Sequence, residues 1–336
     1  MITAKELAKI MGLSEAAVSM ALRNKPGVST QTRRNVIEMA EKHGYDFSRT
    51  AKHTAPSSRN VTFAIYKRHG SVVGETPFFS ELSEGIGTAC AEGNFKLNIA
   101  YIHKGEDVEK NIEDISYSDC VGVILLGTEM QAEDFIPFGK LRVPIVVLDL
   151  YLDTLEYDCV LINNAQGAQM AADYLINRTK KQPGYLRSSY TIGNFDERAD
   201  GFYKSIRRHG MSASKSIVHK LTPSIEGAYA DMLEIIERGE ELAQGYFADN
   251  DWIAIGAMKA LQKKGYKIPE DIAVVGFDNV PMASYIEPTL TTVHVHKKPL
   301  GELAARRLIE IVNNGVHVHI PCKIEMTTNL RKRRSC

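Results

Sequence analysis

The chain has 336 residues, of which 44% are hydrophobic and 24% charged, ordinary values for a globular protein with room for two or three domains. No apolar run approaches the roughly 20 residues a bilayer span needs, and Lys5, Glu6 and Lys9 interrupt the N-terminus where a signal peptide would be apolar, so a cytoplasmic protein is expected. The five cysteines (Cys90, Cys120, Cys159, Cys322 and Cys336) lie far apart with no CxxC pair, which argues against a zinc knuckle or a disulfide framework.

The charges sum to zero but are unevenly placed: residues 1–60 carry ten Lys/Arg against five Asp/Glu, so a +5 head precedes a −5 body. An anionic partner for the head alone is expected. In that head, Thr3 caps a first helix with Glu6 completing a capping box, and Gly12 closes it. Ser14 caps a second helix with Ala17, Val18, Ala21 and Leu22 inward. Pro26-Gly27 breaks the chain, and Ser29 caps a third helix carrying Val36, Met39 and Ala40. Two helices on a glycine turn, braced by a third, make a helix-turn-helix unit over residues 1–46. Residues 47–60, "FSRTAKHTAPSSRN", are polar and basic and read as a linker.

From residue 61 strand-like runs alternate with helical stretches: 61–66, 95–101, 121–126, 144–149, 184–188, 216–220, 245–249 and 272–278. This is an α/β pattern of parallel sheets with helices on both faces, and it is too long for one sheet. Two lobes are expected, the first over about 61–160 and 291–319, the second over about 163–288 and 320–330. Ligands of such sheets gather at the carboxyl ends of strands, where Lys67, Arg68, Asp149, Arg187 and Asp278 fall.

The stretch "AKELAKIMGLSEAAVSMALRNKPGVSTQTRRNVIEMAEKHGY" resembles the head of the lactose-repressor/galactose-repressor (LacI/GalR) family of bacterial transcription regulators. The pieces "TPFFSELSEGI", "FDERADGF", "FADNDWIAIGAMKAL", "IPEDIAVVGFDNVPMASYIEPTLTTV" and "LGELAARRL" are similar to its periplasmic-binding-protein-like, effector-binding core. The resemblance implies a regulator, acting as a repressor, that reads a palindromic operator as a homodimer under control of a sugar or anionic sugar derivative. It places the helix from Ser14 in the major groove, with Glu15, Ala16 and Met20 toward base edges. Ser14, Ser19, Arg23, Thr32 and Arg33 then sit toward the backbone. In the cleft it places Phe79, Ser80, Arg198, Asn250 and Asp278. Lys67, Arg68, Arg187 and Arg198 against Asp149 and Asp278 leave a positive balance, which predicts an anionic small molecule, a sugar phosphate or sugar acid. The family's linker forms a hinge helix whose leucine wedges into the minor groove. Here Thr54 stands at that place and Thr50 at another apolar one, so weaker bending is expected, with phosphate contacts from Arg49, Lys52 and Arg59. Dimer contacts are expected from helices 78–93 and 251–264, and no tetramerising coiled coil after the core.

A transporter's solute-binding protein would use the same two-lobed core, but the basic helical head and the lack of a signal peptide oppose it. No GxGxxG, GxxxxGK[ST] or HExxH supports an enzyme. The two HVH triplets, His294/His296 and His317/His319, lack a clear third ligand, so no metal and no cofactor are expected.

Overall fold

The computed structural model describes residues 2–23, 25, 27–47, 59–74, 77–315 and 319–336; Pro26, Arg49, Thr50, Lys52, Thr54 and His317 lie outside the described residues. Each helix of the head begins where a hydroxyl side chain meets free backbone N–H groups. Thr3 Oγ1 accepts from Glu6 N and Glu6 Oε2 accepts from Thr3 N at 2.8 Å, starting α1 (Ala4–Met11), and Gly12 ends it at φ 63°. Ser14 Oγ caps α2 (Glu15–Leu22) and Ser29 Oγ caps α3 (Thr30–Lys42), each accepting an N–H at 3.1 Å. Leu7, Ala8, Val18, Ala21, Leu22, Val36 and Ala40 bury their side chains together as a small core of its own.

The body then alternates strand and helix: β1 (Asn60–Lys67), α4 (Phe78–Glu92), β2 (Lys96–His103), α5 (Val108–Tyr117), β3 (Cys120–Leu126), α6 (Ala132–Phe135), β4 (Ile145–Leu148) and β5 (Asp158–Ile162). A second series follows with α7 (Asn164–Thr179), β6 (Gly184–Ser188), α8 (Gly193–Arg208), β7 (Val218–Leu221), α9 (Ile225–Glu237), β8 (Gly245–Ala248), α10 (Asp251–Lys263), β9 (Ala273–Asp278) and β10 (Thr291–His294). The chain finishes with α11 (Lys297–Asn314), β11 (Lys323–Met326) and β12 (Asn329–Arg331). Two six-stranded sheets result, ordered β11-β5-β4-β3-β1-β2 and β12-β10-β9-β8-β6-β7, parallel except for β12 against β10. Central strands such as β3 and β4 are buried almost throughout, as helices on both faces require.

The strand pairing moves the expected lobe limits. Residues 291–294 pair with β9 and β12 in the second sheet, not the first, and 323–326 pair with β5 in the first sheet, not the second. The chain therefore crosses between lobes around Asn163, at Val295–His296, and at Thr327–Thr328. A strand joins whichever sheet takes up its ladder of hydrogen bonds. Thr291, Thr292 and Val293 are wholly buried beside β9.

The helix expected over 251–264 to face a second copy is instead interior: α10 buries Ile253, Ala254, Ile255, Ala257, Met258 and Leu261 against α9 and the sheet. In the first lobe α4 crosses α11 at a pair of glycines. A Cβ on Gly85 would meet Lys298 O at 2.1 Å, and one on Gly301 would meet Leu82 O at 2.2 Å, so the two backbones touch. Because this contact is backbone against backbone, Gly301→Ala is expected to cost about 1–3 kcal/mol of stability, read as a lower urea midpoint at unchanged slope.

Candidate functional site

On the head, Ser14, Glu15, Ala16 and Arg23 are exposed and Ser19, Met20 and Thr32 half-buried. Val18, Ala21 and Leu22 turn inward, leaving one free face on α2. Glu15 lies 3.8 Å from Lys5 in a fully hydrated pair that leaves its carboxylate available. Arg33 departs from its expected place. It is 1% exposed and its guanidinium donates to Lys25 O at 2.8 Å, so it braces the loop between α2 and α3 and does not reach a phosphate.

Between the lobes, the carboxyl ends of β3, β4, β8 and β9 converge on a narrow cleft lined by Phe79, Asp149, Arg198, Asn250 and Asp278 together with Phe78, Thr128, Asn194 and Phe195. Its walls lie close together, leaving only about 20 Å³ of free volume, far below the roughly 300–1,000 Å³ typical of small-molecule sites, so the lobes must part to admit a ligand. Wider concavities near Arg178 and Gln244 lie at the opposite, amino-terminal ends of β8 and β9.

Arg198, 3% exposed, is the hub. Its Nε donates to Asn164 Oδ1 at 2.9 Å, it also donates to Asp249 O, and its guanidinium lies 3.7 Å from the centre of the Phe277 ring and 3.3 Å from Asp278. Asp149 accepts from Thr128 Oγ1 at 2.6 Å. Asp149 leaves its buried Oδ1 with no hydrogen-bond donor among the described residues, and the buried Asp278 Oδ1 is faced only by the Arg198 guanidinium. Both also sit in left-handed backbone, φ 61° for Asp149 and 105° for Asp278, a strain of order 1–3 kcal/mol that concentrates at ligand sites.

Two more acids stand behind these. Asp249 accepts from Tyr185 Oη and from Ser188 N, and Asp251 accepts from Val280 N at 2.8 Å. Burial pushes Asp149 up to about 7, Asp249 to about 6 and Asp251 to about 8, and it raises Asp278 as well, against the pull of Arg198. Asn250 spends its side-chain oxygen capping α10, accepting from Ile253 N at 2.9 Å, which leaves its amide N–H₂ as a donor.

Three expected cleft residues lie elsewhere. The Lys67 ammonium packs 5.0 Å over the Tyr101 ring, Arg187 pairs with Asp196, and exposed Ser80 donates to Pro77 O at 2.7 Å. Arg68, also placed among the cleft cations, pairs with Glu133 and Asp134. The cations that made the cleft look positive are thus held by other partners, and the cavity leans toward carboxylate. His294 and His296 serve the crossover: His294 Nδ1 lies 2.9 Å from Asn279 Nδ2, and His296 Nε2 lies 3.1 Å from Asn329 Nδ2.

Sequence reasoning missed Glu129. It is fully buried and accepts backbone N–H bonds from Arg68, His69, Gly70, Val72 and Val73 at 2.8–3.1 Å. Burial pushes its carboxyl up, but the amides more than offset this and hold it below the usual range. Glu129 therefore shapes the loop that brings Val72 to the cavity wall. At the mouth, the His69 ring centre lies 4.6 Å from that of Tyr190, and Gln131 Nε2 donates to Thr191 O at 3.2 Å, joining the lobes. In Glu129→Gln an N–H₂ would face some of those donors. Hydrogen exchange at amides 68–73 is expected to accelerate about tenfold or more, with β3 and β4 unchanged.

A sequence profile of the periplasmic binding protein-like domain matches residues 172–336. The HTH-type transcriptional repressor PurR of Mannheimia succiniciproducens is 28% identical over 316 residues, covering 92% of this chain and 92% of that protein. The HTH-type transcriptional regulator GalR of Escherichia coli is 27% identical over 317 residues, covering 94% and 90%. Among solved structures, the transcriptional regulator CelR in complex with cellobiose superposes with a TM-score of 0.74 at 22% identity over all of both chains. The lac repressor dimer bound to operator and an anti-inducer does so with 0.72 at 19% identity over 99% and 98%. The likeness runs the length of the chain, through a capped three-helix head and a two-lobed core, and over more than nine-tenths of its length the protein is similar to HTH-type transcription regulators such as PurR and GalR.

Proposed function

We propose that this chain is a cytoplasmic repressor, that its head reads a palindromic operator as a homodimer, and that a neutral, hydroxyl-rich small molecule held between the lobes sets its operator affinity. The observation that carries the ligand is a pair of buried carboxylate oxygens, Asp149 Oδ1 with no hydrogen-bond donor and Asp278 Oδ1 faced only by the Arg198 guanidinium at 3.3 Å. Such oxygens call for O–H donors; a phosphate or carboxylate would add like charge to a desolvated site. Phe79 and Phe195 offer faces for a sugar's C–H side, Asn250 and Asn194 its polar partners. The neutral sugar cellobiose, seen in the CelR complex, points the same way.

On the DNA side, Glu15, Ala16 and Met20 face base edges, and Ser14, Ser19, Arg23 and Thr32 the backbone, joined by Arg49 and Lys52 of the linker. The partner copy is met along the unpaired edge of β2, where Ile99 and Tyr101 are half-exposed, and at Tyr285. Calorimetry with neutral monosaccharides, their phosphates and their uronic acids tests the ligand class. Tight binding of only the anionic members sinks it. A mobility-shift assay at several salt concentrations tests the operator reading through its steep salt slope.

A further inference from the structure

The linker is one path from core to head, but α3 also touches the first lobe directly. Arg34 on α3 donates to Glu113 on α5 at 2.7 Å, and its guanidinium stands 5.5 Å over the Tyr117 ring of the same helix. Two turns further along α3, Glu41 pairs with Arg142, which approaches from the connection between β3 and β4 and covers the Phe47 ring at 5.5 Å. Burial lowers the pKa of Arg33, and Asp119, just before β3 and held by Asn60 Nδ2 at 2.7 Å, partly offsets this from the core side.

The polarity alternates along the contact. At Arg34 the head supplies the cation and the core the acid; at Glu41 the roles reverse. Sliding or turning α3 on α5 would set like charges opposite each other, so this pattern selects one register. Both ion pairs are about half-exposed, and each by itself contributes little, roughly 0.2–1 kcal/mol. They act, however, within one chain, where the short linker keeps the head at high effective concentration. Glu15 and Ala16 stay exposed while α3 is docked, so docking orients the reading face without covering it.

We propose that this α3–α5 clasp is a second coupling between core and head, independent of the linker, that fixes the direction of α2 relative to its own lobe. A rotation of the lobes then carries the head with it as a rigid extension. The inference rests on the regulator reading above.

The test changes only the core side: Glu113→Arg together with Arg142→Glu, which leaves the net charge unaltered. Two readouts are needed: ¹⁵N relaxation of head amides in the full-length protein without DNA, and operator affinity at fixed salt. In the double variant the head amides are expected to tumble independently of the core. Operator affinity should fall about 3–10-fold, with affinity for random duplex unchanged. Adding Arg34→Glu and Glu41→Arg on the head restores slow tumbling. Equal relaxation in wild type and double variant overturns the clasp. Released heads with unaltered operator affinity and effector response overturn its coupling role. Wild type that binds no operator, while the relaxation behaves as expected, sinks the regulator reading and leaves the clasp standing.

Discussion

Replacing Arg198 by alanine is expected to abolish effector binding and to lower stability by about 3–5 kcal/mol, the size seen when one partner of a buried charged network is removed. The guanidinium holds α8 to Asn164 at the lobe crossover, to the carbonyl after β8 and to Asp278 at the end of β9. Without it, Asp149 and Asp278 line a desolvated cleft with Asp249 behind them, and the remaining nearby cations are Lys297, beside Asp278, and Arg187, beside Asp249. Arg198→Lys should recover part of the stability but little of the binding, because a single ammonium cannot span three partners in fixed directions. Urea denaturation and calorimetry read the two effects separately. A loss below about 1 kcal/mol would mean that the acids simply take up protons and the hub is dispensable.

The second large effect is on pH dependence. In the unfolded chain these aspartates release their protons near pH 4. In the native chain burial keeps the proton on Asp249 up to about 6, on Asp149 to about 7 and on Asp251 to about 8. Between those limits the folded protein binds more protons than the unfolded one. The stability these groups contribute is therefore fully present below about pH 4 and is lost as pH rises through 6 to 8. Glu129 and Asp134, held below the usual carboxylate range, act in the opposite direction, and their contribution is lost as pH falls through that range.

A melting-temperature series should accordingly decline from pH 6 to pH 8.5. Asp251→Asn keeps the shape and can still accept from Val280 N. In that variant the decline above pH 7 is expected to shrink and stability at pH 8 to exceed wild type. An unchanged slope in Asp251→Asn would show that the residue does not carry a native-state proton. Effector binding is tied to the same acids: Asp149 and Asp278 both lie in the cavity, so proton uptake or release should accompany ligand binding near pH 7.

Local chemistry alone determined the helices of the head, the strand–helix alternation and, in the cleft, Asp149 and Asp278 at the ends of their strands. Hydroxyl caps at Thr3, Ser14 and Ser29 act on their own next turn, and buried runs such as 121–126 need only their own composition to read as central strands, so both are visible in one stretch of chain. The strand at 158–162 escaped because its short run follows a loop without turn punctuation and owes its pairing to β4 and to β11, more than 160 residues away. Of the expected cleft residues, Phe79, Asp149, Arg198, Asn250 and Asp278 line the cleft, Phe79, Arg198 and Asn250 being expected there through the family resemblance, while Lys67, Ser80 and Arg187 lie outside its lining.

Tertiary structure decided which long side chains turn inward. Adjacent Arg33 and Arg34 read alike in sequence, yet one is buried under the head and the other reaches α5. Glu129 carries no local mark of its five amide donors, and β10 and β11 join sheets on opposite sides of the hinge from those expected. The reason is common to all of these. A cap or a periodic face is set by neighbours a few residues away, whereas the direction of a flexible charged side chain, and the sheet that a short strand enters, are set by partners that only the folded chain brings within reach.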